Sequence, residues 1–222
     1  VTGAPPLAPF PREILAGPTL SAARALLGAR LIREGSDGPR VGRIVEVEAY
    51  IGEDDAASHA RFGRTARNAV MFGDPGRAYV YLVYGMHHCL NVVTEPVGRP
   101  AAVLIRAVEP ETGIAAMRDA RVSRTRTRPP ATSRDARLAA GPGLVAAAFS
   151  IDRSATGVDL CDPASPLRLA LAPGEDPPPV EMTPRIGIAY AGEPWSSRPW
   201  RLLVPASPAL SGPVRMRTGS PA

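Results

Sequence analysis

With 222 residues, 45% of them apolar and 21% charged, the chain can bury one full core, and its composition excludes wholesale disorder. All 26 basic residues are arginine; the formal charge of +5 points mildly to an anionic partner, and the lack of lysine excludes chemistry through a lysine Schiff base. No apolar run reaches membrane-spanning length and the first residues lack a signal-peptide layout, so a soluble cytoplasmic protein is expected.

Twenty-six prolines and 21 glycines predict short elements joined by turns. TLSAARALLGARLIR, residues 19–33, reads as a helix followed by a strand, with Thr19 or Ser21 as its cap and Gly28 as its end. RIVEVEAY, residues 43–50, alternates: Val45, Val47 and Ala49 share one face, and Ile44, Glu46, Glu48 and Tyr50 the other. GDPG at 73–76 is a turn that leads into a second strand, AYVYLVY. A third strand, PAAVLIRAVEP, is expected to stop at Pro110.

Residues 118–137 hold seven arginines against two aspartates and read as a solvated loop, or as an arm that follows phosphates. GPGLVAAAFSI reads as a helix, and PGEDPPP at 173–179 as a linker-like break. Strands joined by short turns predict an α+β fold: a single mixed domain with a curved, largely antiparallel sheet flanked by helices. The domain is placed at 10–212, with an N-terminal tail at 1–9 and a loose tail at 213–222. There is no internal repeat.

The polar residues inside the apolar strands are the chemical candidates. Glu46 and Glu48 fall on one side, roughly 7 Å apart along the strand, with Tyr50 next. Such a face suits the solvent side of a half-buried sheet. It also suits a pocket wall where a carboxylate activates water beside an aromatic ring. Arg106 within LIRAVEP would be costly unpaired, so a carboxylate partner, Glu48, is expected by economy rather than spacing.

Tyr79 and Tyr81 share a face, whereas Tyr84 ends its strand beside Gly85 and Met86, where an aromatic wedge can protrude. His59, His87, His88 and Cys89 match no standard zinc spacing, although a metal hydrolase on His59, His87 and Cys89 is one competing reading. Cys89 and Cys161 are expected to be reduced thiols. No G-x-S-x-G, P-loop or dinucleotide motif is present.

The ordered string VEVEAYIGEDDAASHARFGRTARNAVMFGDPGRAYVYLVYGMHHCLNVV, with LIRAVEP, GPG, RIGIAYAGE and RPWRLLVPASPALSG after it, resembles the alkyladenine (3-methyladenine) DNA glycosylase family. The likeness runs from about Phe10 to Gly212. It implies a monofunctional glycosylase that flips alkylated purines out of double-stranded DNA and hydrolyses the N-glycosidic bond, with no metal or organic cofactor. By resemblance Glu48 is the general base and Arg106 helps to hold the water. Tyr50, His59 and Tyr81 line the base pocket, and Asn91 is a gate against the exocyclic amine of guanine.

The resemblance also makes Tyr84 the wedge that fills the gap in the duplex, flanked by Met86 and His87. His87 stands where the family can carry tyrosine, and Leu144 where it often carries lysine; residues 118–137 fit no family pattern. The expected state is a monomer acting on damaged DNA away from membranes, in the nucleoid of the cytoplasm. A non-catalytic DNA-binding protein with the same fold is the alternative.

Overall fold

The computed structural model describes residues 6–125 and 135–212. In chain order its elements are β1 (Ala8–Pro9), α1 (Arg12–Leu15), α2 (Thr19–Leu26), β2 (Arg30–Arg33), β3 (Arg40–Ile51), β4 (Ala78–Val83), β5 (His87–Val93), β6 (Ala101–Thr112), α3 (Ile114–Thr125), β7 (Ala139–Ala140), α4 (Pro142–Ala148), β8 (Leu167–Leu171), β9 (Glu181–Thr183) and β10 (Arg201–Leu203). The strands form one sheet in the order β1-β8-β2-β3-β6-β5-β4; β7 pairs with β6, while β10 pairs with β3 and β9. Every pairing is antiparallel, as expected of an α+β domain without βαβ crossovers.

Period-2 alternation gives the sheet two faces with different jobs. Val45 and Val47 of β3, Ala78 and Val80 of β4, Leu90 and Val92 of β5, and Val103 and Ile105 of β6 all enter the main core. Residues from α2 and α4, among them Leu26 and Val145, close that core together with Phe149 just after α4. The intervening residues face the other way, where Tyr79, Val93 and Ala102 form a smaller cluster with Ala60 and Met71. One row of direct neighbours crosses this second face, running Tyr79, Asn91, Leu104, Glu48 and Arg201 over five strands.

β3 and β6 each carry a bulge, and the two cancel. Ile44 pairs with Val108, Glu46 with Ala107 and Val47 with Ile105, so Val45 is the extra residue on β3 and Arg106 the extra residue on β6. A bulge re-aims the side chain it carries. Here it delivers the guanidinium of Arg106 to both glutamates of β3 without shifting the register beyond.

Three local expectations change. Glu46 and Glu48 are not on a solvent face: both are fully buried, because β6 and β10 flank β3 and loops cover its second face. α2 has no side-chain cap; the hydroxyl of Thr19 instead donates to Glu95 (2.6 Å), tying the helix to the loop after β5. β6 runs past Pro110 to Thr112, and Pro110 sits opposite Gly42 at a register shift, where a missing N–H is tolerated.

Of the arginine-rich stretch 118–137, residues up to Thr125 continue α3, and 126–134 lie outside the described residues. Residues 1–5 and 213–222 also lie outside them, whereas Ala8 and Pro9 pair with β8. Among the described residues no helix is long and apolar enough to cross a membrane.

Candidate active site

β3 sets Glu46 and Glu48 two residues apart in the interior, where an unpaired carboxylate is expensive. Every carboxylate oxygen finds a donor. Glu48 Oε1 accepts from the backbone N–H of Ile186 (2.7 Å), and Oε2 accepts from the Tyr50 hydroxyl (2.9 Å) and Arg106 Nη1 (3.1 Å). Glu46 Oε1 accepts from Arg106 Nε, Arg201 Nε and the Ser211 hydroxyl, and Oε2 from the Ser211 N–H.

Burial opposes ionisation of Glu46, but the Ser211 bonds and the charges of Arg106 and Arg201 outweigh it and hold its pKa below the usual range. Burial likewise opposes the charge on Arg106, yet Glu48 and Glu46 keep its pKa raised. Burial and the neighbouring charge of Glu48 push Tyr50 well above the ordinary phenol value, so it stays a donor to Glu48.

One hydrogen bond from Glu48, beyond Tyr50, lies a small cavity that opens to solvent. Tyr50, His59, Tyr79, Tyr81 and Asn91 line it together with Ala57, Met71 and Ala102. The rings of His59 and Tyr81 meet edge to face with centroids 4.4 Å apart, a geometry favoured by their quadrupoles. His59 Nδ1 is 2.9 Å from the Tyr79 hydroxyl. Burial, then Arg67 and Arg61, lower the His59 pKa to about 4, so the imidazole is neutral at pH 7. Asn91 Nδ2 donates to the carbonyl of Tyr79 (3.1 Å), which fixes its amide in the wall.

The β4–β5 hairpin carries Tyr84, Gly85 and Met86 at its tip. Tyr84 (φ 51°) and Gly85 (φ 70°) both have positive φ, as a primed hairpin turn requires, and the Met86 N–H closes the turn on the carbonyl of Val83. A tyrosine in this conformation is strained, and it is 88% exposed. His87 is exposed and packs against Gly143 in the first turn of α4, where a Cβ would stand 3.0 Å from it.

Residues 13–208 match the family described as methylpurine-DNA glycosylase. The chain belongs to that family. Proteins named "Putative 3-methyladenine DNA glycosylase" are similar to it over most of their length. One from Methanocella arvoryzae is 47% identical over 202 residues, 91% of this chain and 95% of the relative. One from Myxococcus xanthus is 47% identical over 204 residues, covering 91% and 93%. A third, from Streptomyces avermitilis, is 43% identical over 216 residues, covering 97% and 96%.

In this glycosylase-family chain the structure gathers Glu48, Arg106, Tyr50, His59, Tyr81 and Asn91 around one cavity and its floor, and sets Tyr84, Met86 and His87 together at the hairpin. Among the described residues no three His, Cys, Asp or Glu side chains are placed to hold a metal ion, so His59, His87 and Cys89 form no ligand set. Several participants were not among the expected site residues. Tyr79, on the same face as Tyr81, also lines the wall. Ser211 and Arg201 hold Glu46, and Ile186 holds Glu48.

Arg185 is the largest of these omissions. It forms a fully buried pair with Asp55 (2.6 and 2.9 Å) and stacks 4.7 Å over the Tyr50 ring. Arg185 opens RIGIAYAGE on a loop rather than inside an apolar strand, so the clue that marked Arg106 was absent.

Proposed function

We propose that this chain is a monofunctional DNA glycosylase that removes alkylated purines of the 3-methyladenine type from duplex DNA. The observation that carries the reading is Glu48: a buried carboxylate held by three donors that leave one lone pair of Oε1 for a water, one hydrogen bond from an aromatic cavity. A fixed anion there orients a water molecule toward C1′ of an extruded nucleotide. The water oxygen bonds to C1′, the C1′–N bond breaks, the base departs with that electron pair, and the water proton passes to Glu48.

Arg106 positions Glu48 and helps to hold the water. Tyr50, His59 and Tyr81 receive the base by stacking and edge contacts, and a base made cationic by alkylation gains further from the ring faces. Asn91, fixed by its bond to the Tyr79 carbonyl, is the gate that disfavours the exocyclic amine of normal guanine. Tyr84, Met86 and His87 enter the duplex, Tyr84 filling the gap. With no lysine in the chain, the product is an abasic site left intact by any lysine-based lyase step.

A non-catalytic DNA-binding protein is the competing reading. It gives no reason to keep a buried pair such as Glu48 with Arg106, which stabilises a fold less than apolar packing would. Incubation with duplexes carrying 3-methyladenine, 7-methylguanine, hypoxanthine or ethenoadenine, with EDTA present, tests both. Release of free base is expected; binding without release of any of the four would leave the non-catalytic reading standing.

A further inference from the structure

A second aromatic feature lies outside the cavity. Phe62 and Tyr190 are 78% and 66% exposed, although both are large rings that a fold normally covers. The guanidinium of Arg61 lies over both, 4.5 Å from the Phe62 centroid and 5.6 Å from that of Tyr190. The cluster is fastened to the cavity wall. Arg61 donates to the carbonyl of Ala56, and the Tyr190 hydroxyl reaches the carbonyl of Ala57, itself a lining residue. Phe62 closes the short 3₁₀ turn that begins with His59.

Charge adds to this. Arg64 and Arg67 follow on the same stretch, both exposed, lying over Phe72 (6.0 Å) and Tyr81 (5.4 Å). Among the described residues Arg61, Arg64 and Arg67 form no ion pair with a carboxylate. Three cations without acidic partners, set against two exposed and two half-buried rings, complement a chain of phosphates carrying flat bases. The cation–π contacts hold Arg61 and the rings together before any partner arrives, which lowers the entropy lost on binding.

We propose that Phe62, Arg61 and Tyr190 form a docking platform for the nucleotide adjacent to the extruded one, with Arg61 on its phosphate and the two rings against its sugar and base. The platform rests on the glycosylase reading for its partner, but not on the chemistry of Glu48. It gives the DNA strand a second aromatic hold, on the side of the cavity built by His59 rather than by the Tyr84 hairpin.

The test compares the unaltered protein with Arg61→Gln and with the double variants Phe62→Ala/Tyr190→Ala and Phe62→Leu/Tyr190→Leu. The leucine pair keeps apolar bulk where alanine would unfold the turn. Affinity for a duplex holding a tetrahydrofuran abasic analogue is measured by fluorescence anisotropy across a salt series. Both double variants should weaken binding by about tenfold or more, the scale of one lost base–aromatic stack. Arg61→Gln should flatten the slope of log affinity against log salt by about 0.9, the share of one phosphate contact. Excision at saturating DNA should fall less than affinity does.

Unchanged affinity in the double variants, or an unchanged salt slope in Arg61→Gln, overturns the platform. So does a change in sedimentation of the free double variants, which would show the rings buried against a second copy of the chain. An unaltered protein that binds duplexes carrying the four alkylated or deaminated purines named above but releases no base from any of them refutes the glycosylase reading instead, and the affinity measurements on the abasic analogue still decide the platform.

Discussion

The cavity floor and the hairpin tip are joined by the same sheet and are built on opposite terms. At the floor, four carboxylate oxygens receive donors from Tyr50, β6, β10, the Ile186 loop and Ser211, so none of them lacks a partner within the chain. At the tip, Tyr84 holds a strained backbone and presents nearly its whole ring to solvent, with Met86 beside it. A region satisfied internally can be rigid before substrate arrives, which is what orienting a water requires. A region left unsatisfied gains its contacts from a partner, and its strain is a reason to look for one.

The comparison can be broken first at Glu48. Glu48→Gln keeps the shape of the floor and removes the proposed base, so excision should fall by about 10²–10⁴-fold while binding to abasic duplex persists. Single-turnover release of 3-methyladenine decides this, and an unchanged rate would remove Glu48 from the reaction. Arg106→Met tests the floor as architecture. Two buried carboxylates then lose their shared cation, and stability should drop by about 3–5 kcal/mol in urea denaturation.

Acid should loosen the cavity wall in a defined window. His59 has a folded pKa of about 4, below the ordinary 6.5, so the unfolded chain binds the proton more readily between these values. The contribution of neutral His59 is therefore fully present above about pH 6.5 and lost as pH falls toward about 4. Denaturation at several pH values in that range should show His59→Gln with a flatter loss than the unaltered protein. Parallel curves would mean that another group carries the slope.

The smallest effect is expected at the tip, and its sign matters more than its size. Tyr84→Asn makes the turn Asn-Gly, a pair suited to positive φ at both positions, so the fold should gain about 1 kcal/mol. The same change should weaken flipping more than binding to an abasic site, read by 2-aminopurine fluorescence and anisotropy. A loss of stability would show that the tip is part of the fold rather than a surface kept for the duplex.

How much was legible in the sequence follows the same division. Alternation in RIVEVEAY and LIRAVEP announced the strands, and a charge in each apolar strand announced that they needed one another. What alternation could not say is which side of the pair would be dry. That depended on β10, more than 150 residues further on, and periodicity carries no information about the identity of a distant partner. Arg185 with Asp55 was hidden for the same reason, since a loop has no period to violate. The compensating bulges were equally unreadable, because a one-residue irregularity in pairing leaves the apolar pattern of each strand almost intact.

The row that crosses the second face, from Tyr79 through Asn91, Leu104 and Glu48 to Arg201, has a bearing on how such a chain can vary over time. Neighbouring strands are about 4.8 Å apart, so the sheet works as a ruler that spaces Asn91 and Glu48 roughly 10 Å from each other. Inserting or deleting one residue inside β3 would turn Glu48 into the apolar core, and the same event inside β5 would do so to Asn91. Either change would cost the protein its fold before it could alter its choice of substrate. Mutations of length are thus confined to the loops, and selection for a foldable chain guards the spacing of the site without any test of activity.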